Sequence, residues 1–345
     1  MSIQITDCTI RDGGYLFNKN PSCDYIKGVM QGLADAGIDF VETGFLQKNV
    51  SGESLVYRNS VDVRRYLPKN NGHTNFLGFC DNSRYSPDLL DEYDGKSFKW
   101  LRISFAKYEI VPSLEFCRKA QEKGYIVQFN PMDAISYSDE EWEDLISKVN
   151  RIRPGSLSIV DTFGAMYLED LIRIFTHLDR ILDKGIKIGL HSHDNLGLSN
   201  ALAETMIHFA EKTGRDVVVD GSLFGMGRGA GNANTELLAD YINKHHNGHY
   251  NIPVLMDTIE KYIVPLSVRW GYDLPMFVCG IEHAHVDNVY HLLKTKGSTA
   301  REMLQIIQKM SVPQRTRYGS GYSKEDFTVL DEAYNKYKEE TNELR

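Results

Sequence analysis

Two histidines separated by one residue, His191 and His193, end a short apolar run that begins at Lys187. Side chains alternate between the two faces of a strand, so both imidazoles are predicted to point the same way. Paired imidazoles can bind a divalent metal ion, although hydrogen-bonded polar residues at a strand end give the same pattern. A turn of Asp-Asn-Leu-Gly then leads into an amphipathic run that begins at Ser199. The histidines are therefore expected at the carboxyl end of a strand, where α/β proteins place their chemistry.

Polar side chains also end most of the other predicted strands. Arg11 and Asp12 leave the first strand together, before two glycines that permit a tight turn. The remaining strand ends and the last loop supply Glu42, Arg102, Asn130, Asp161 and Asn232. One polar strand end is common by chance, whereas polar groups at so many carboxyl ends are typical of a barrel active site.

One carboxylate and two imidazoles, completed by oxygen donors and water, suit Mn²⁺, Mg²⁺, Co²⁺ or Zn²⁺. We predict Asp12, His191 and His193 as the ligands, with Asn232 as a candidate fourth and manganese as the ion. Arg11 beside such an ion would place a second positive charge on a substrate oxygen, and this pair stabilises an enolate.

Structural interpretations of the same residues stay open. Asp12 and Asp161 can each cap a turn or a strand end, and Asn232 can cap the helix that follows it. Arg11 can pair with a structural carboxylate such as Glu42. Arg102, Asn130 and Asp161 are predicted to contact the substrate.

Alternating strand and helix patterns predict the fold. The eight strand candidates cover residues 3–10, 39–45, 74–80, 99–105, 125–130, 156–161, 187–193 and 216–222. The run Ser138-Asp-Glu-Glu141 predicts a capped helix start. Eight strands, each followed by a helix, predict a (β/α)₈ TIM barrel over residues 1–247. Helical patterns at 285–294, 299–310 and 325–338 predict a helical C-terminal domain over 248–345. No GxGxxG motif follows the first strand, which weakens a dinucleotide-binding alternative.

Composition narrows the function classes. The 345 residues are 42% hydrophobic and 25% charged, with a formal net charge of −8. The sequence contains no concentrated basic block, so nucleic-acid binding is disfavoured. No apolar run approaches the roughly 18 residues that span a bilayer. The first residues lack the pattern of a signal peptide. Five dispersed cysteines without a CxxC pair are typical of a reducing compartment, so we predict a cytoplasmic protein.

Four motifs identify a resemblance. They are Thr9-Ile-Arg-Asp-Gly13, Val41-Glu-Thr-Gly-Phe45, His191-Ser-His-Asp-Asn-Leu-Gly197 and Gly229-Ala-Gly-Asn232. In this order they resemble the HMG-CoA-lyase-like superfamily of metal-dependent TIM-barrel aldolases, lyases and Claisen-type synthases, and its aldolase branch most of all. The resemblance implies that Arg11 binds the oxygen of a 2-oxo acid and that Asp12, His191 and His193 bind the metal. It further implies Asn232 as a ligand and Glu42 as a supporting residue.

The aldolase branch cleaves 4-hydroxy-2-oxo acids to pyruvate and an aldehyde through a metal-stabilised enolate, so the resemblance implies this reaction. Tyr15 is a departure, because that branch places a histidine base three residues after the metal aspartate. Tyrosine, with a pKa of about 10, is a poor base at neutral pH. Either Tyr15 acts as a donor, or a water or another side chain takes the proton. An acyl-CoA-dependent Claisen-type synthase and a barrel that binds without catalysis remain alternatives.

Aldolases of the resembled type can pass a volatile aldehyde to a dehydrogenase through the helical domain. The resemblance therefore implies an aldehyde dehydrogenase as a partner, and we expect a homodimer. No nucleic-acid or membrane partner is expected.

Overall fold

The protein is described by a computed structural model covering residues 1–50, 52–69, 72–316 and 327–343. Its sheet contains these strands: β1 Ile3–Asp7, β2 Phe40–Leu46, β3 Val56–Tyr57, β4 Asn75–Asp81, β5 Trp100–Phe105, β6 Ile126–Pro131, β7 Ser156–Asp161, β8 Lys187–Ser192 and β9 Val217–Gly221. Strand β9 reads Val-Val-Val-Asp-Gly, and its β-branched residues favour extended backbone. The eight predicted strands are thus all present, with ends shifted by up to three residues.

The sheet closes on itself. Every neighbouring pair is parallel, in the order β1-β9-β8-β7-β6-β5-β4-β2, and β1 pairs again with β2. The short strand β3 adds to the outer end of β2, where the β2–β4 register shifts between Glu42 and Phe45. The predicted (β/α)₈ barrel is confirmed. Parallel closure brings all carboxyl strand ends to one rim, where polar side chains from distant parts of the chain meet.

The α-helices of the described residues are α1 Cys23–Asp35, α2 Ile110–Glu122, α3 Asp139–Ile152, α4 Leu168–Ile181, α5 Ser199–Thr213, α6 Thr235–His245, α7 Ile252–Tyr262, α8 Leu274–Ile281, α9 Val286–Lys296, α10 Ala300–Gln308, α11 Val312–Arg315 and α12 Thr328–Glu343. In α3, Ser138 and Glu141 form the predicted capping box. The expectation of an α-helix after every strand is wrong at two places. After β2 and after β4, the described residues contain only short 3-10 turns, at Asp62–Arg65 and Pro87–Leu89. Pro87, like Pro68 in the earlier segment, restricts its backbone and lacks an amide donor.

Two hydrophobic cores are present. Helix α7 follows residue 247, yet its buried Leu255 and Ile259 pack into the barrel core. A second core runs from Met276 through α9 and α10 to Tyr337 of α12. The division into domains at residue 247 stays a prediction. The predicted start of the last helix at Glu325 lies outside the described residues.

Across residues 1–50, 52–69, 72–316 and 327–343, no helix combines the length and apolar character that a membrane span requires.

Candidate active site and metal-binding residues

Arg11 is held rigidly at the carboxyl rim of the barrel. Its Nε donates to Glu42 Oε2 at 2.6 Å and its Nη1 donates to Asp12 Oδ1 at 2.7 Å. The guanidinium carbon lies 4.6 Å from the ring centroid of Phe79. Burial opposes the charge, but Glu42 and Asp12 raise the pKa of Arg11 above its ordinary value. Arg11 is thus a permanent, fixed cation.

Asp12 collects hydrogen bonds from the first and last loops of the barrel. Asn232 Nδ2 donates to its Oδ2 at 2.8 Å, and the backbone N–H of Arg228 donates to the same oxygen at 3.3 Å. Burial alone would raise the pKa of Asp12, but Arg11 and then His193 hold it well below the usual range. Asp12 therefore remains an ionised carboxylate at physiological pH.

The two histidines lie side by side, with ring centroids 5.2 Å apart. His191 Nδ1 is 3.0 Å from Asp220 Oδ2, and His193 Nδ1 is 3.2 Å from the carbonyl oxygen of Gly231. Both partners only accept hydrogen bonds, so each Nδ1 carries a proton, and in a neutral ring the lone pair then lies on Nε2. Burial lowers the pKa of His193 to about 4, which keeps it neutral at pH 7. Metal-binding histidines commonly have such partners on the other ring nitrogen.

Asn232 joins this group from the last loop. Its backbone pairs with that of His193 in an isolated antiparallel β-bridge, and its side-chain Nδ2 donates to Asp12. Its Oδ1 is buried and has no hydrogen-bond partner. A Cβ at Gly227 would lie 2.1 Å from Asn232 Nδ2 and 2.6 Å from Asp12 Oδ2, so only glycine fits there. The loop backbone is thus pressed against these polar side chains.

The described residues contain no group of three His, Cys, Asp or Glu side chains that already stands in metal-binding geometry. Asp12 is paired instead with Arg11 and Asn232. Even so, a carboxylate, two imidazole nitrogens and an orphaned amide oxygen are the donor types that a divalent ion prefers. Buried polar atoms normally have a partner, and a bound divalent ion would supply one for the Asn232 oxygen. Asp12, His191, His193 and Asn232 therefore fit a divalent ion chemically.

A buried ion-pair network connects the two halves of the site. Arg102 Nη1 lies 3.1 Å from Glu42 Oε1, and Nη2 donates to Asp220 Oδ1 at 3.0 Å. Its Nε donates to Gln128 Oε1 at 3.0 Å. Glu42 also holds Arg11, and Asp220 also holds His191, so Arg102 links these two site residues. All three of its guanidinium nitrogens contact protein groups, so Arg102 holds the site residues in place, and its contact with a substrate stays a prediction.

The sequence analysis did not identify Asp220 or Gln128 as site residues. Each is a buried polar residue within a strand: Asp220 follows three valines in Val217–Gly221, and Gln128 lies in Ile126–Pro131. That pattern was the available signal, because a buried polar group in a strand requires a partner.

Asn130 and Asp161, both predicted to contact the substrate, form hydrogen bonds within the protein. Ser158 Oγ donates to Asn130 Oδ1 at 3.0 Å. The carboxylate of Asp161 accepts from the backbone N–H groups of Ala165 and Met166, at 2.9 and 3.3 Å. Asp161 thus organises the loop after β7. Its contact with a substrate, like that of Asn130, stays a prediction.

Stability should depend on pH through Asp161, because burial raises the pKa of its carboxyl to about 7. Between pH ~4 and 7 the unfolded chain ionises this group while the folded protein keeps it neutral, so stability falls as pH rises. Asp161→Asn removes the titration. Between pH 4.5 and 7.0 the wild type should therefore lose roughly 2–4 kcal/mol more unfolding free energy than the variant. Urea unfolding followed by circular dichroism measures this.

The exposed Asp144 on α3 provides the control for this measurement. Asp144→Asn should show the same pH dependence as the wild type. Parallel pH curves for the Asp161→Asn variant and the wild type would contradict the prediction.

Tyr15 lies in the 3-10 turn Gly13–Phe17, with its ring 5.1 Å from that of Phe45. The guanidinium carbon of Arg228 lies 5.5 Å from the Tyr15 ring centroid. Burial raises the pKa of Tyr15 above 10, although Arg228 and Arg11 act against this. The hydroxyl therefore stays protonated at neutral pH and can donate a hydrogen bond.

The C-terminal helices cover this rim of the barrel. His283 Nε2 lies 2.6 Å from Asp133 Oδ1, and Arg228 Nη2 lies 2.7 Å from Asp287 Oδ1 on α9. His285 Nδ1 accepts from the backbone N–H of Asp287 and caps α9. His283 and His285 form a second His-x-His pair, and these contacts give both a structural role. Arg228 was not among the predicted site residues.

Comparison with known proteins finds a family that part of the chain resembles. Residues 102–260 match the model of the HMGL-like family. The resemblance inferred from the sequence motifs is thereby confirmed, and this similarity, together with the aldolase-named relatives, supports a lyase.

The relatives of this chain carry two activity names. A 4-hydroxy-2-oxovalerate aldolase from Thermomicrobium roseum is 26% identical over 316 residues, covering 87% of this chain and 85% of the relative. An oxaloacetate decarboxylase from Mycobacterium tuberculosis is 26% identical over 254 residues, covering 71% of this chain and 70% of the relative.

Solved structures support the barrel fold. The N-terminal domain of a Bacteroides vulgatus protein assigned as an aldolase superposes with a TM-score of 0.68 at 24% identity, covering 84% of this chain and 96% of that one. An HMG-CoA lyase from Brucella melitensis superposes with a TM-score of 0.60 at 14% identity, covering 74% of this chain and 96% of the lyase. At these identities the similarity establishes the fold alone.

Proposed function

We propose that this protein is a divalent-metal-dependent aldolase that cleaves a 4-hydroxy-2-oxo acid into pyruvate and an aldehyde. The observation that carries the proposal is the fixed Arg11 beside Asp12, His193 and the orphaned oxygen of Asn232. The relatives named 4-hydroxy-2-oxovalerate aldolase support this substrate class. Manganese is our proposed ion, with magnesium, cobalt and zinc as alternatives.

The chain's own residues account for much of the proposed chemistry. Asp12, His191, His193 and Asn232 would hold the ion, which when bound supplies Lewis-acid polarisation of the keto group. Arg11 binds the keto oxygen and stabilises the negative charge that grows there as the bond between C3 and C4 breaks. Glu42 and Asp12 keep its guanidinium in place. The proton of the C4 hydroxyl passes to water or to a side chain other than Tyr15, since the Tyr15 hydroxyl is already protonated.

The test is release of pyruvate from a panel of 4-hydroxy-2-oxo acids, after chelation and after addition of each metal. We expect activity that is lost on chelation and restored by metal. The panel should include oxaloacetate, because the decarboxylase relative supports it as a second substrate and its cleavage also leaves pyruvate enolate. Condensation of a 2-oxo acid with an acyl-CoA, and no cleavage, would instead favour the synthase alternative.

Tyr15→Phe tests the donor role of the hydroxyl. Cleavage leaves the enolate carbon C3, which must gain a proton to become the methyl group of pyruvate. A protonated Tyr15 hydroxyl that supplies this proton acts as a general acid, so the variant should lose roughly 10²-fold in kcat. The aromatic contact with Phe45 is preserved in this variant, and the fold should be unaffected. Steady-state kinetics of pyruvate release measure the effect. Unchanged turnover would assign proton transfer to another group.

Homodimer formation, an aldehyde dehydrogenase partner and a cytoplasmic location stay predictions that rest on the sequence and on its resemblance to the family. The substrate-contact roles of Arg102, Asn130 and Asp161 are proposals of the same standing.

A further inference from the structure

Three basic residues stand on loops at the rim that carries the site. Lys19 follows β1, Arg84 follows β4 and Arg228 follows β9, and we call these residues the basic rim. The Nζ of Lys19 lies 5.6 Å and the guanidinium carbon of Arg228 lies 5.5 Å from the same Tyr15 ring centroid. Two of the three are paired with carboxylates, Arg84 with Asp81 at 3.5 Å and Arg228 with Asp287 at 2.7 Å.

Arg228 connects the basic rim to the candidate metal-binding residues. Its backbone N–H donates to Asp12 Oδ2, while its side chain extends over Tyr15. A group bound by Arg228 would therefore lie close to the proposed reaction centre.

Arg228 is also accessible to a ligand. Its side chain is 31% exposed, and its ion-pair partner Asp287 is 38% exposed. The side chains of Arg11 and Arg102 are instead at most 6% exposed, and their carboxylate partners at most 3%. An ion pair open to solvent contributes little, so an incoming anion can compete with Asp287. The planar guanidinium suits a carboxylate or a phosphate, which it can bind through two hydrogen bonds.

We propose that Arg228, assisted by Lys19 and Arg84, binds a second anionic group of the substrate, a carboxylate or a phosphate at the end distant from the 2-oxo acid. This inference rests on the proposed function and specifies its substrate class. The aldehyde fragment is then itself an anion.

The experiment measures condensation of pyruvate with three aldehydes by the metal-loaded enzyme. Propanal is neutral, succinic semialdehyde carries a carboxylate and glycolaldehyde phosphate carries a phosphate. We expect kcat/KM to be at least roughly 10-fold higher for one of the anionic aldehydes than for propanal, as a charge-assisted hydrogen bond allows. The preferred aldehyde distinguishes the carboxylate from the phosphate.

Three variants separate ligand binding from a structural role. Arg228→Gln should raise KM for the preferred anionic aldehyde roughly 10- to 100-fold and leave propanal unchanged. Asp287→Asn breaks the same ion pair but releases Arg228, so the anionic preference should persist or increase. Lys212→Gln removes a cation that stacks on Phe209 of α5, away from the rim, and should have no effect.

Two outcomes would overturn the inference. One is equal use of propanal and the anionic aldehydes by the wild type, and the other is the same loss on all aldehydes in the Arg228→Gln and Asp287→Asn variants. If no aldehyde reacts, the proposed function fails, and calorimetry with inorganic phosphate and with succinate decides the inference separately. Binding of either anion to the wild type and its loss in Arg228→Gln would support the anion site, whereas no binding, or equal binding to both proteins, would refute it.

Discussion

Replacing His191 or His193 with alanine is expected to remove the bound divalent ion and, with it, lyase turnover. Each substitution deletes an imidazole whose Nδ1 is already held, by Asp220 or by the Gly231 carbonyl. The proposed set then retains one carboxylate, one imidazole and one neutral amide oxygen, and we expect these three to hold Mn²⁺ too weakly to keep it through dialysis. Elemental analysis after loading with Mn²⁺ and dialysis measures the metal content directly, without dependence on a substrate.

His208 provides a matched control, since it is an exposed histidine on α5. The His208→Ala variant should retain the ion at the wild-type ratio, and circular dichroism should show the same fold for all three variants. Stoichiometric metal in both the His191→Ala and His193→Ala proteins would refute the ligand assignment.

The second large effect is expected for Arg11→Lys, which should lower turnover by roughly 10²-fold or more, as for loss of one oxyanion donor. Lysine keeps the charge but lacks the planar fork that donates to Glu42 and Asp12 simultaneously. The ammonium group therefore no longer has a fixed position for the developing oxyanion. Metal content should stay at the wild-type level, and kcat for pyruvate release on the confirmed substrate measures the loss.

The control for Arg11→Lys is Arg118→Lys on α2. Arg118 also pairs with two carboxylates, Glu115 and Glu122, but its side chain is 50% exposed. Surface pairs of this kind contribute little, so turnover should be unchanged. Near-normal turnover of the Arg11→Lys variant would refute enolate stabilisation by Arg11.

The positions of the strands could be read from the sequence because they follow from local rules. Short β-branched runs between turn residues predicted all eight barrel strands, and Ser138 with Glu141 predicted the start of α3. The two segments without an α-helix, after β2 and β4, were missed because the count of strands was taken to imply a helix after each. Proline and glycine in both segments were the local signal against helices.

The candidate site could be predicted only in part from the sequence. The sequence indicated that Asp12, His191 and His193 belong together, since parallel strands bring their carboxyl ends to one rim. It placed Arg102 among the substrate contacts, whereas the structure engages all its guanidinium nitrogens with Gln128, Asp220 and Glu42. Arg102 and Asp220 are 118 residues apart in sequence. No local pattern specifies which of several inward-facing polar residues will pair.

The sequence by itself determined the period-2 strands, the order of the motifs and the types of donor at the strand ends. Tertiary structure decided which charges neutralise one another and which remain accessible to a ligand. The physical reason is that burial makes an unpaired charge costly, so partners are selected by proximity after the barrel closes. Arg102 is consequently enclosed by buried partners, whereas Arg228 shares a partly exposed ion pair with a helix that lies beyond the barrel.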